Sequence, residues 1–177
     1  MNMKKLVLVL AISSAMAMGV AHAADQGHGT VTFVGSIIDA PCSITPQTAD
    51  QTVNMGEIST KALANGGTSN PRPFDIKLEN CDISALKDKT VTTTFSGTSS
   101  VANPDLLAIA GTASGASIAL TQNGNAPLKL GQASSPTTIQ QEENTLHFAA
   151  YLKGDGATSG VVPGYFTSVA NFTLAYQ

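Results

Sequence analysis

The chain has 177 residues, 42% of them hydrophobic but only 5% aromatic, with no tryptophan and a formal charge of −3. Two of its nine bases, Lys4 and Lys5, lie near the start, so beyond residue 23 seven bases face twelve acids. Those seven are spread from Lys61 to Lys153 without clustering, which excludes the dense positive stripe that phosphate binding requires and makes nucleic acid an unsuitable partner.

Met1 to Ala23 reads as a secretory leader. Lys4 and Lys5 give a positive start, Leu6 to Ile12 an apolar centre, and Ala21-His22-Ala23 a small-residue cleavage site. The apolar run falls well short of the ~20 residues a spanning helix needs, so no membrane anchor is expected after cleavage. Removing 23 of the 177 residues leaves 154, enough for one domain with a real core. Cys42 and Cys81, an even number in an exported chain, predict a disulfide and an oxidising compartment. Redox or metal pairs more often show C-x-x-C spacing, whereas 39 positions separate these two.

The first predicted element of the mature chain is extended. From Gly27 to Ile37, side chains of a strand alternate between faces, so Gly27, Gly29, Val31, Phe33, Gly35 and Ile37 share one face, while His28, Thr30 and Thr32 share the other. A strand with a narrow glycine end and two large apolar knobs suits insertion into a groove. Thr30 to Ile38 reads as a long strand that breaks at Asp39-Ala40-Pro41. Cys42 to Thr45 continues it briefly, Pro46 starts a loop, and Val53 to Gly56 is a short strand candidate. Ser59 to Ala64 suits one helical turn, capped by Ser59 and ended by Gly66-Gly67.

Phe74 to Cys81 alternates without a miss: Phe74, Ile76 and Leu78 inward, Asp75, Lys77 and Glu79 outward. Cys81 then falls on the outward parity, which predicts a bulge or change of direction near Asn80. Further strands are expected at Thr90 to Ser96, Ser117 to Thr121, Leu128 to Leu130, Thr145 to Leu152 and Phe166 to Tyr176. The Asn123-Gly124 turn signature joins the second and third of these as a hairpin. In the last strand Phe166, Ala170, Phe172, Leu174 and Tyr176 share a parity, with Thr167, Asn171 and Thr173 on the other. Many short strands with almost no helical periodicity indicate an all-β, antiparallel sandwich.

Enzyme chemistry finds no foothold. Outside the leader only His28 and His147 are histidines, and neither stands in a recognisable catalytic context; no Walker loop, G-x-S-x-G, H-E-x-x-H or EF-hand spacing is present. No cofactor or metal is expected. A lectin site is equally hard to place with so few aromatics.

Four ordered landmarks carry a resemblance: G-x-V-x-F-x-G from Gly29 to Gly35, D-A-P-C-S-I from Asp39 to Ile44, F-D-I-K-L-E-N-C-D-I from Phe74 to Ile83, and G-Y-F-T-S-V-A-N-F-T-L-A-Y-Q from Gly164. The sequence resembles the chaperone–usher pilins, in particular the major rod subunits of the type 1 and P-pilus group. The resemblance implies an immunoglobulin-like sandwich lacking its last strand, completed by donor-strand exchange. Residues 24–36 would be the N-terminal donor extension and 37–177 the incomplete domain. Gly27, Gly29, Val31, Phe33 and Gly35 would form the donor strand, with Gly29 where the groove is tightest. Phe166, Ala170, Phe172, Leu174 and Tyr176 would line the acceptor groove and face the chaperone.

The implied partners are identical or related pilins, a periplasmic chaperone and an outer-membrane usher. The implied destination, reached through the periplasm, is a fimbria on the cell surface that supports adhesion. The alternatives are a minor adaptor or terminating subunit, and a monomeric secreted carbohydrate-binding sandwich.

Overall fold

In a computed structural model the described residues are 27–156 and 160–177; the expected leader, 1–23, lies outside them. The chain divides after Ile37. In the first unit the described residues belong to no strand, and every residue from Gly27 to Ala40 is exposed. The strand expected over Thr30–Ile38 is therefore absent. Alternation supplies a face, but a strand also needs a neighbour to complete its hydrogen-bond ladder, and this stretch has none among the described residues.

The second unit is built of antiparallel strands. These are β1 (Ser43–Ile44), β2 (Arg72–Cys81), β3 (Thr90–Gly97), β4 (Leu107–Ala108), β5 (Ala110–Gly111), β6 (Ala116–Gln122), β7 (Ala126–Leu128), β8 (Thr137–Thr138), β9 (Glu142–Gly154), β10 (Phe166–Thr167) and β11 (Ala170–Tyr176). The larger sheet runs β1-β2-β9-β6-β4, with β7 also on β6; a three-stranded sheet runs β11-β3-β8; β5 and β10 form a separate pair. Between the two larger sheets lies the core. Ile76, Leu78, Leu146, Phe148 and Leu152 come from β2 and β9, and Val91 and Phe95 from β3. The Phe95 ring stands edge-on to Phe148 with centroids 5.0 Å apart and edge-on to Phe74 at 6.1 Å, in the favoured T-shaped geometry.

β2 follows its expected alternation, with Ile76 and Leu78 fully buried and Lys77 exposed. Its irregularity falls where parity requires one. The register passes from Leu78 opposite Asn144 to Cys81 opposite Glu142, three steps on one strand against two on the other, and Asn80 sits at φ 52°. That one extra residue turns Cys81 inward, where it is bonded to Cys42.

Four local expectations are corrected. Pro46 begins not a loop but a short helix, α1 (Pro46–Ala49), because its fixed φ suits the first helical position. Val53–Gly56 is no strand: the Gly56 N–H donates to Asn54 Oδ1 at 2.8 Å, and Arg72 Nε donates to the Met55 carbonyl, so side chains take the place of a ladder. The hairpin exists, but Asn123 and Gly124 both adopt positive φ in a loop that ends at Asn125, so β7 starts at Ala126 rather than Leu128. The last strand is two, since Thr167 pairs with Ala110 while Ala170 pairs with Gly97, and Ser168 Oγ donates to the Ala108 carbonyl at 2.8 Å between them. The helical turn is α2 (Thr60–Leu63), with Ser59 Oγ accepting from the Lys61 N–H as expected.

Candidate functional site

Among the described residues β11 has one strand neighbour, β3, and so forms the edge of its sheet. Thr90 and Gln177 exchange both backbone hydrogen bonds, at 3.1 and 3.0 Å. In an antiparallel ladder such pairs alternate with pairs whose N–H and C=O groups point away from the partner. Counting back through the register from Gln177, the residues pointing away from β3 are Tyr176, Leu174, Phe172 and Ala170. The backbone groups open at this edge therefore belong to the very residues expected to line a groove.

Their side chains are apolar and incompletely covered. Phe172, Leu174 and Tyr176 are half-buried against the core, and so is Phe166 of β10, whereas Ala170 is exposed. The Phe172 ring lies 6.4 Å from that of Phe95, which joins this shelf to the central aromatic cluster. Burial holds the Tyr176 phenol above its ordinary pKa, because the phenolate would lose hydration there. At the Ala170 end the backbone is tight: a Cβ on Gly97 would come within 2.6 Å of both a Leu107 methyl and the Val169 carbonyl oxygen. A row of open donors and acceptors above an apolar shelf can add an extended, amphipathic segment by β-augmentation.

The five residues expected as a donor strand, Gly27, Gly29, Val31, Phe33 and Gly35, are all exposed in the first unit. Val31 and Phe33 remain 75% and 90% accessible, and nothing lies within 4 Å of where a Cβ on Gly29 or Gly35 would stand. Reading by parity placed Phe172, Leu174 and Tyr176 on one face but missed the split between β10 and β11 and the role of Gly97. The latter was legible only as a glycine at the end of a strand.

His147 Nδ1 lies 2.8 Å from Asp75 Oδ1, an exposed pair directly opposite one another on β9 and β2. No group of three or more metal-ligating side chains occurs among the described residues. Two surface clefts of 210 and 200 Å³ carry Asn103, Lys153 and Asp155 in one and Glu57, Ser59 and Arg72 in the other, with neither histidine nor cysteine. No described helix is long and apolar enough to cross a membrane.

Residues 31–177 match the family model described as fimbrial protein. The chain is 62% identical to the Fimbria A protein of Serratia marcescens over 177 residues, covering the whole of both. It is 50% identical to the Major MR/P fimbria protein of Proteus mirabilis over 178 residues, again covering both completely. Among solved structures, the P pilus rod subunit PapA superposes with a TM-score of 0.69 at 35% identity, over 78% of this chain and 100% of that one. A subunit of a chaperone–usher pilus, solved in a study of rod uncoiling, gives 0.75 at 38% identity over 86% and 97%.

Proposed function

Because the chain belongs to the fimbrial protein family and is a structural subunit of a bacterial fimbria, we propose that successive copies join by strand donation. Residues 24–36 of one copy lie along the β11 edge of the next, and residues 37–177 form the domain that this added strand completes. Val31 and Phe33 rest on the shelf of Phe172, Leu174 and Tyr176, with Phe166 and Ala170 at its end, while Gly29 permits close backbone approach. Burying Val31 and Phe33 contributes roughly 1.5–3 kcal/mol each before ordering costs, and each ladder hydrogen bond adds about 1 kcal/mol.

One observation carries this reading: the residues of β11 that turn open backbone groups outward are those whose apolar side chains are left half-covered. Such an edge recruits any available strand, so it needs cover before a neighbour arrives. A periplasmic chaperone supplies that cover after export, and an outer-membrane usher is where the neighbour's arm replaces it. The filament stands outside the cell and supports adhesion; the subunit itself catalyses nothing and takes no cofactor.

An adaptor or terminating subunit is the nearer alternative. A terminator needs no acceptor edge, and the open β11 edge argues against that role, while the relative named as a major fimbria protein favours the rod. The experiment is a deletion of residues 24–35 in cells that otherwise carry the full assembly system. Electron microscopy should show no filaments, although the truncated chain accumulates in the periplasm; filaments of normal length would refute donation by this arm.

A further inference from the structure

The outward face of the C-terminal segment changes character along its length. On β11 the side chains pointing away from the core are Asn171, Thr173 and Ala175, small or polar as a wetted strand face requires. Just before β11 and outside either strand, Val169 and Tyr165 stay 72% and 90% exposed. These are two large apolar side chains left open beside a strand whose outward face is wettable. A second exposed apolar pair, Ile37 and Ile38, stands at the base of the N-terminal arm. No charged residue lies within 35–38 or 165–169.

We propose that these two pairs meet at the joint between successive copies: Ile37 and Ile38 of the copy that donates its arm pack on Tyr165 and Val169 of the copy that accepts it. The contact rests on the strand-donation reading and adds to it an apolar collar outside the strand ladder. Register carries the argument. Each strand pair in the described structure is antiparallel, and an arm added to β11 in that sense runs toward Ala170 as it approaches its own domain. With Gly29 opposite Tyr176, Gly35 stands opposite Ala170, where β11 begins, and Ile37 and Ile38 follow two and three residues further on. Slipped by two residues, with Gly27 opposite Tyr176, Phe33 stands opposite Ala170 and the pair follows four and five residues further on. Both registers carry the isoleucine pair past the Ala170 end toward the segment from Tyr165 to Val169, so the contact does not depend on choosing between them. Exposed apolar side chains at Tyr165 and Val169, and none larger than alanine on the outward face of β11, are what a partner touching only that end requires.

Cysteine pairs test the contact in filaments of the full chain. Ile38→Cys combined with Tyr165→Cys or Thr167→Cys should give, after mild oxidation, a ladder of covalent multimers on a non-reducing gel that neither single substitution gives. A control pair, Thr32→Cys with Thr173→Cys or Asn171→Cys, reports on the arm itself, because Thr32 stands opposite one of those two in the two registers. A control ladder without the Ile38 ladder would overturn the collar and leave donation standing; no ladder from either pair would overturn both. A second measurement uses exposed positions that leave the fold intact. Filaments carrying Tyr165→Ser and Val169→Ser, or Ile37→Ser and Ile38→Ser, should dissociate at lower denaturant than the parent, and all four changes together should lose little more than either pair alone. Fully additive losses, or no loss, would show that the two pairs do not touch.

Discussion

β2 and β11 carry the same alternating pattern to different depths. In β2 the inward residues Ile76 and Leu78 are sealed, at 0% and 1% exposure, whereas in β11 Phe172, Leu174 and Tyr176 are only half-buried. Hydrophobic period does not distinguish them. Neighbours do: among the described residues β2 lies between β1 and β9, and β11 has β3 alone. Alternation decides which side of a strand faces the core, but the number of flanking strands decides how completely that side is covered. The open edge of β11 and the exposed Val31 and Phe33 of the arm are the two halves of the proposed strand donation.

Substitutions can break this comparison or sharpen it. The largest effect is expected from Phe33→Asp: filaments should be absent by electron microscopy, while the denaturant midpoint of the single chain stays within about 0.5 kcal/mol of the parent, because the side chain is exposed there. A large fall in single-chain stability would place Phe33 in its own core. Next comes Cys42→Ser, which opens a loop of 39 positions and should cost about 4 kcal/mol in urea unfolding; an unchanged midpoint would make the bond incidental. Ile76→Ala and Leu174→Ala address β2 and β11 directly. The first should cost about 2–5 kcal/mol in the single chain, as sealed core positions do. The second should cost roughly 1–2 kcal/mol there and rise toward the first within filaments, once its cover is complete. Equal costs in both states would mean that assembly adds nothing over Leu174.

The smallest effect concerns Tyr176. Its folded pKa is raised above the ordinary 10.0 by burial, so the unfolded chain loses its proton first. Stability is then undiminished below pH 10 and falls as pH rises through the folded value. Unfolding midpoints at pH 9 and 11 should show that fall, and Tyr176→Phe should flatten it.

Much of this was legible because period and parity are local properties. The inward set of β2, the Ser59 cap and the bulge near Asn80 follow from a few adjacent residues and their geometry. The shared face of Phe172, Leu174 and Tyr176, half-buried on β11, follows in the same way, while Ala170 is exposed. What escaped depended on distant partners. The chain between Thr167 and Ala170 changes neighbours from β5 to β3, and nothing in Phe166 to Tyr176 records that switch. Val53 to Gly56 has a strand's composition, yet Asn54 and Arg72 bond its backbone groups first. Thr30 to Ile38 has a strand's pattern and no strand, since among the described residues no other strand pairs with it.

The bond between Cys42 and Cys81 also sets how the subunit bears a pull. Cys42 lies four residues beyond Ile38, at the root of the arm, and Cys81 is the last of the ten residues of β2. Tension entering at that root does not have to be held by the two residues of β1. Under the proposed strand donation it crosses a covalent link into β2 and spreads along the seam with β9, so a stretched fibre would load each subunit through two long paired strands rather than through its shortest.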